Sequence, residues 1–199
     1  MRPFLVFDIE IKRTPREVAR ELNLKSEGEA FSFPQKMGFG VGIIYNSTTE
    51  DYLVFQSAKE FANYLLRFDG LLVSFNGARF DLPVLLDEID IDTFRALQTK
   101  PHLDILQYFY FRVGGRFRVG LDNLAQNTIG RGKTGNGADA PILLREGKMT
   151  ELVAYCKNDV EITKAIYEFG VEQGYINYLD NQTNKVTKMK VDWSEHDDI

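Results

Sequence analysis

Phe4-Leu5-Val6-Phe7-Asp8-Ile9-Glu10 is the stretch on which the reading of the fold turns. Met1 to Phe7 is a short apolar run without polar alternation, the pattern of a strand buried on both faces. It ends in two carboxylates spaced two apart, so both project from one face of the strand. The carboxyl end of a strand is where open α/β sheets bind ligands. A single acid there is most simply a solvated strand end. Two same-face acids at the lip of an apolar strand call for a cation, because gathered like charges repel and raise one another's pKa.

Working outward, residues 11–36 form a mixed-charge insertion, with a helix expected around Pro15 to Leu24. Gly38 to Tyr45 and Asp51 to Gln56 read as a hairpin of two strands about the polar turn Asn46 to Glu50. Ser57-Ala58-Lys59-Glu60 is a capping box opening a helix to about Phe68, with Phe61, Leu65 and Phe68 at helical spacing. Gly70 to Phe75 is another buried strand, ending at the Asn76-Gly77 turn, and a helix is expected over 81–88 with Pro83 in its first turn. His102 to Phe111 reads as strand or helix, with a strand favoured at its start. A short helix near Leu121 to Ile129 and a long one over 150–173 follow. The tail alternates from Tyr175 to Trp193 about Asp180 to Asn184, a β-hairpin. This order predicts an α/β fold, a mixed β-sheet flanked by helices with a C-terminal β-hairpin. The expected division is one domain over 1–174, with residues 175–199 as hairpin and tail.

Bulk composition narrows the function classes. Of 199 residues, 44% are hydrophobic and 27% charged, as in an ordinary soluble domain. One cysteine, Cys156, excludes a disulfide framework and a cysteine-based zinc cluster, and two histidines argue against a histidine-rich metal centre. A reducing, cytoplasmic setting is expected. The N-terminus has no signal-peptide pattern, and no run approaches the roughly 20 apolar residues of a membrane span, so no membrane partner is expected. The net charge of −5 argues against coating nucleic acid by bulk electrostatics, but not against gripping a few nucleotides at one end.

Two further acids belong with Asp8 and Glu10. Asp81 follows the second apolar strand; before Leu82-Pro83 it could equally cap a helix, or do both. Tyr155 and Asp159, four apart, share one face of the long helix, where each alone would pass for a core tyrosine and a solvated acid. Phosphodiester hydrolysis needs an activated water and a shielded leaving oxygen, and two divalent ions roughly 4 Å apart supply both. Hard Mg²⁺ or Mn²⁺ suits an all-carboxylate set, with the Tyr155 hydroxyl aligning the attacking water.

These motifs resemble the DEDD exonucleases of the ribonuclease-H-like fold. Phe7-Asp8-Ile9-Glu10 looks like their first motif, Ser74-Phe75-Asn76-Gly77-Ala78-Arg79-Phe80-Asp81 their second, and Tyr155-Cys156-Lys157-Asn158-Asp159 the third motif of the tyrosine subgroup. The likeness runs from Phe4 to about Gly174 and is nearest to exonuclease domains of family B DNA polymerases and their stand-alone relatives. It implies a 3′→5′ exonuclease releasing 5′-monophosphates, with single-stranded DNA favoured over RNA and a helicase or polymerase as a possible partner. Asp8, Glu10, Asp81 and Asp159 would hold the metals. The Ile9 backbone and Asn76 would contact substrate, and Phe80 could stack on a base or pack beneath the second motif. His102-Leu103-Asp104-Ile105 resembles a strand between the second and third motifs, with Asp104 either scaffold or a mere strand-edge acid. The glycine-rich stretch with Arg112, Arg116, Arg118, Arg131 and Lys133 reads as a phosphate-gripping arm or a solvated loop. A non-catalytic nucleic-acid-binding module and an endonuclease of the same fold are the competing readings.

Overall fold

The computed structural model describes residues 2–115, 119–132 and 140–193. Five strands form one mixed sheet in the order β3-β2-β1-β4-β5: β1 (Phe4–Ile11), β2 (Phe39–Asn46), β3 (Asp51–Phe55), β4 (Leu71–Ser74) and β5 (His102–Asp104). β1, β4 and β5 run parallel, while β2 and β3 are antiparallel additions on the other side of β1.

The strict alternation of β1 explains the two layers that cover the sheet. Phe4 and Val6 join a core with Ile43, Val73, Leu103 and the long helix residues Cys156, Val160 and Ile166. Leu5, Phe7, Ile9 and Ile11 join the opposite core with Phe39, Leu72, Phe61, Leu65 and Leu85. Asp8 and Glu10 therefore continue the face that the long helix covers.

The first strand is longer than the apolar run predicts. It continues through both acids to Ile11, because β2 pairs with it throughout (Asp8 opposite Ile43, Glu10 opposite Val41). Pairing with β4 stops at Val6 opposite Val73. The acids thus sit where β1 has a neighbour on one edge only, and the other edge opens into a cleft.

Helices follow the expected order: α1 (Pro15–Glu21), α2 (Ala58–Arg67), α3 (Asp81–Val84), α4 (Ile91–Gln98), α5 (Ile105–Arg112), α6 (Leu121–Ile129), α7 (Ala140–Arg145) and α8 (Met149–Gln173). α4 and α7 were not anticipated, although Asp90 caps α4 by accepting from Thr93 N at 2.8 Å. The 81–88 helix is shorter than expected, ending at Val84 and tightening into a 3₁₀ turn over Leu85–Asp87. Residues 11–36 fold as α1, with a capping box between Thr14 and Glu17, followed by 3₁₀ turns at Glu27–Ser32 and Pro34–Lys36. Val18, Ala30 and Met37 bury this segment in the second core.

The tail forms the expected hairpin, β6 (Tyr175–Asp180) paired with β7 (Lys185–Lys190). Its residues Ile176 and Tyr178, with Val191 and Trp193 beyond it, pack into the first core. Arg116, Arg118 and Lys133 of the expected arm, and the tail beyond Trp193, lie outside the described residues.

Candidate active site

Three segments that are far apart in sequence meet at one cleft of about 670 Å³. Asp8, Ile9, Glu10, Asn76, Phe80, Asp81, Tyr155 and Asp159 all line it. Carboxylate oxygens of Asp8 and Glu10 come within 4.8 Å of each other and of the Cys156 thiol. Asp81 and Asp159 line the cleft outside that tight group, and both are buried. The i, i+4 spacing on α8 brings Tyr155 and Asp159 to the same wall.

Asp81 does not cap its helix. Phe80 occupies that position, and Asp81 is the first helical residue. Its carboxylate instead accepts from the Ile9 backbone N–H at 3.1 Å. That N–H lies beyond the last β1–β4 pair, so the acid takes the place of a missing strand neighbour. Burial first, and then the charges of Asp8 and Asp104, push the Asp81 pKa well above the usual carboxylate range.

The turn that delivers Asp81 is held by a scaffold that the sequence left unresolved. The buried Asp104 carboxylate accepts from the N–H groups of Asn76 (2.9 Å), Ala78 (3.0 Å) and Gln107 (3.1 Å). It therefore caps α5 and pins the 76–78 turn at once, which makes it a scaffold and not a strand-edge acid. Asn76 is left-handed (φ 72°), a conformation that asparagine tolerates better than most residues. Ser74 Oγ accepts from Gly77 N at 3.1 Å and lies 2.8 Å from His102 Nε2. A Cβ on Gly77 would stand 2.4 Å from that Oγ, so only glycine fits the turn.

Cys156 is buried, as expected of a filler residue, but it also touches the site. Its thiol donates to the Asp8 carbonyl and carboxylate, each at 3.4 Å. Burial and the neighbouring carboxylates push its pKa up, which keeps the thiol a protonated donor to Asp8. The cleft lining offers carboxylate oxygens from Asp8, Glu10, Asp81 and Asp159. That donor set fits a hard divalent ion.

Arg131 does not line the cleft. It is exposed, near the end of the described part of the glycine-rich stretch. Arg112 lies over the Tyr108 ring and reaches the Lys190 carbonyl. The sequence reading missed the insertion's share of the cleft, which is lined by Thr14, Arg16, Glu27 and Phe31. The two aromatics Phe31 and Phe33 within a mixed-charge stretch were the available signal.

A helix-flanked mixed sheet with carboxylates from β1, α3 and α8 in one cleft is a ribonuclease H architecture with an acidic cleft at the open edge of its first strand. Residues 39–170 match a family model of the RNase_H superfamily, and the chain belongs to that superfamily. No curated protein matches the sequence. Among solved structures, the family B DNA polymerase from the hyperthermophilic archaeon Pyrobaculum calidifontis matches 86% of this chain with a TM-score of 0.59 at 17% identity. The chain spans 25% of that polymerase's length, and the likeness is one of fold. Among the described residues no helix is long and apolar enough to cross a membrane.

Proposed function

We propose that this chain is a metal-dependent 3′→5′ exonuclease acting on nucleic acid, with single-stranded DNA the favoured substrate. The observation that carries this reading is the meeting of Asp8, Glu10, Asp81, Asp159 and Tyr155 around one cleft. No fold gains stability by gathering four carboxylates in a partly buried space. Asp8, Glu10, Asp81 and Asp159 are the residues that would hold two Mg²⁺ or Mn²⁺ ions. Such ions, when bound, would offset the carboxylate charge, activate water and shield the leaving oxygen.

The chain's own groups supply position. Asp81 ties its turn to β1 through Ile9, so the walls of the cleft keep a fixed spacing. Asn76, whose left-handed turn is pinned by Asp104, would contact the strand beside the scissile phosphate. The Tyr155 hydroxyl orients the attacking water. Water adds to phosphorus and gives up a proton to solvent, the bond to the 3′ oxygen breaks, and that oxygen takes a proton from solvent, giving a 5′-monophosphate.

The test is a time course on 5′-labelled single-stranded DNA and RNA of one sequence, in Mg²⁺, Mn²⁺ or EDTA, beside a closed single-stranded circle. A metal-dependent ladder shortening from the 3′ end, with the circle intact, supports the reading. A nicked circle moves it to an endonuclease. Intact substrate in every lane with a gel shift in parallel moves it to a binding module.

A further inference from the structure

We propose that Phe31, together with Phe80, is a stacking platform for unpaired bases at the end of the substrate strand. Phe31 belongs to the 3₁₀ turn Glu27–Ser32, in the insertion that precedes the residues matching the family model. It is 54% exposed, yet it lines the same cleft as the carboxylates. Its ring centre is 6.0 Å from that of Phe80, with the planes tilted by 45°. Phe80 packs against the second core and immediately precedes Asp81, so the platform is built beside the candidate metal ligands.

Two features make this ring a working surface and not a stray exposed side chain. Its neighbour Ala30 is fully buried in the second core, which fixes the turn that presents it. The cleft's charge also leaves affinity to apolar contact. Asp8, Glu10, Glu27, Asp81 and Asp159 line it, against Arg16 as the only basic side chain among its described lining residues. Arg16 itself stands 3.9 Å from Glu27. A polyanion gains little from such a lining by charge alone, whereas every base has an apolar face that can stack on a ring. A platform of this kind accepts any unpaired base and excludes a paired end.

The inference deepens the nucleic-acid reading above and rests on it. Its test is fluorescence anisotropy with a 5′-labelled oligothymidine and the same oligomer carrying two abasic 3′-terminal positions. Both are titrated in Mg²⁺ into protein with Asp8→Asn, which removes the proposed cleavage, with and without Phe31→Ala. Because Phe31 is half exposed, the variant should keep its thermal midpoint, which is checked first. Stacking on an aromatic ring supplies about 5- to 150-fold in affinity per base. The Asp8→Asn protein should bind the intact oligomer tighter than the abasic one by about that factor. Phe31→Ala should remove most of the difference while leaving abasic binding unchanged, and Phe31→Trp should restore it. Equal weakening of both oligomers by Phe31→Ala, or no discrimination or binding before it, overturns the platform. Hydrolysis by the unaltered chain is scored separately. A chain that discriminates without cleaving keeps the platform and loses the exonuclease reading.

Discussion

Replacing Asp104 with Asn should destabilise the protein far more than its place at the end of a three-residue strand implies. The carboxylate is only 6% exposed and accepts three backbone N–H groups, from Asn76, Ala78 and Gln107. Hydrogen bonds to a charged acceptor contribute about 1.5–3 kcal/mol each and neutral ones about 0.5–1.5. In the amide, one oxygen can keep the two bonds now made by Oδ1, each weaker by about 1 kcal/mol. The other position becomes an NH₂ facing the Ala78 N–H, which loses a bond and leaves donors unmatched, about 2 kcal/mol more. Removing the charge also relieves its repulsion of the buried Asp81, which returns about 1 kcal/mol. The net loss is about 3 kcal/mol, or about 6–12 °C in thermal midpoint for a chain of this size. Thermal unfolding followed by far-ultraviolet circular dichroism measures it. Asp90→Asn serves as the control, because that acid caps α4 in open solvent and should move the midpoint much less. A fall of under about 2 °C for Asp104→Asn would refute the account of the turn.

Tyr155→Phe should slow cleavage by about 10²-fold at little change in KM, the effect of losing a water-orienting hydroxyl; unchanged turnover would reduce Tyr155 to packing. His102 should make the protein acid-sensitive. Burial, only partly opposed by the Asp104 charge, lowers its pKa to about 4, against about 6.5 in the unfolded chain. Unfolding then takes up a proton between those values, so stability is full above pH 6.5 and falls as pH drops toward 4, by up to about 3 kcal/mol. Denaturant midpoints of His102→Gln at pH 7 and 4.5 should differ less than those of the unaltered chain. Gly170→Ala, a change that usually favours a helix, should here cost about 1–3 kcal/mol. The added Cβ would meet the Trp193 ring at 2.1 Å, and a red shift of the chain's single tryptophan would report its displacement.

Sequence patterns located the site residues better than they explained what holds them. The two-residue spacing of Asp8 and Glu10 placed both on the face that α8 covers, and the four-residue spacing of Tyr155 and Asp159 placed both in the cleft. Those are local geometric facts of strands and helices. The length of β1 was misjudged because pairing with β2 carries a strand through polar residues that an apolar run would not include. Asp81 looked like a cap because a helix start and a strand-edge N–H both reward the same carboxylate, and only the packing of α3 against β1 selects the second. Arg131 entered through charge in a glycine-rich stretch, yet it is exposed and is not among the residues that line the cleft.

The sequence by itself determined which residues could do chemistry and on which face of its element each would lie, because periodicity is set by backbone geometry over a few residues. It also determined the element order from which a mixed, helix-covered sheet follows. Only the tertiary structure decided that the open edge of β1 beyond Val6 becomes a cleft, that the Cys156 thiol reaches Asp8, and that Asp104 pins the turn leading to Asp81. It alone brought Phe31 of the insertion against Phe80. Each of these joins residues far apart along the chain, and such contacts are fixed by how whole layers pack, which no local pattern records.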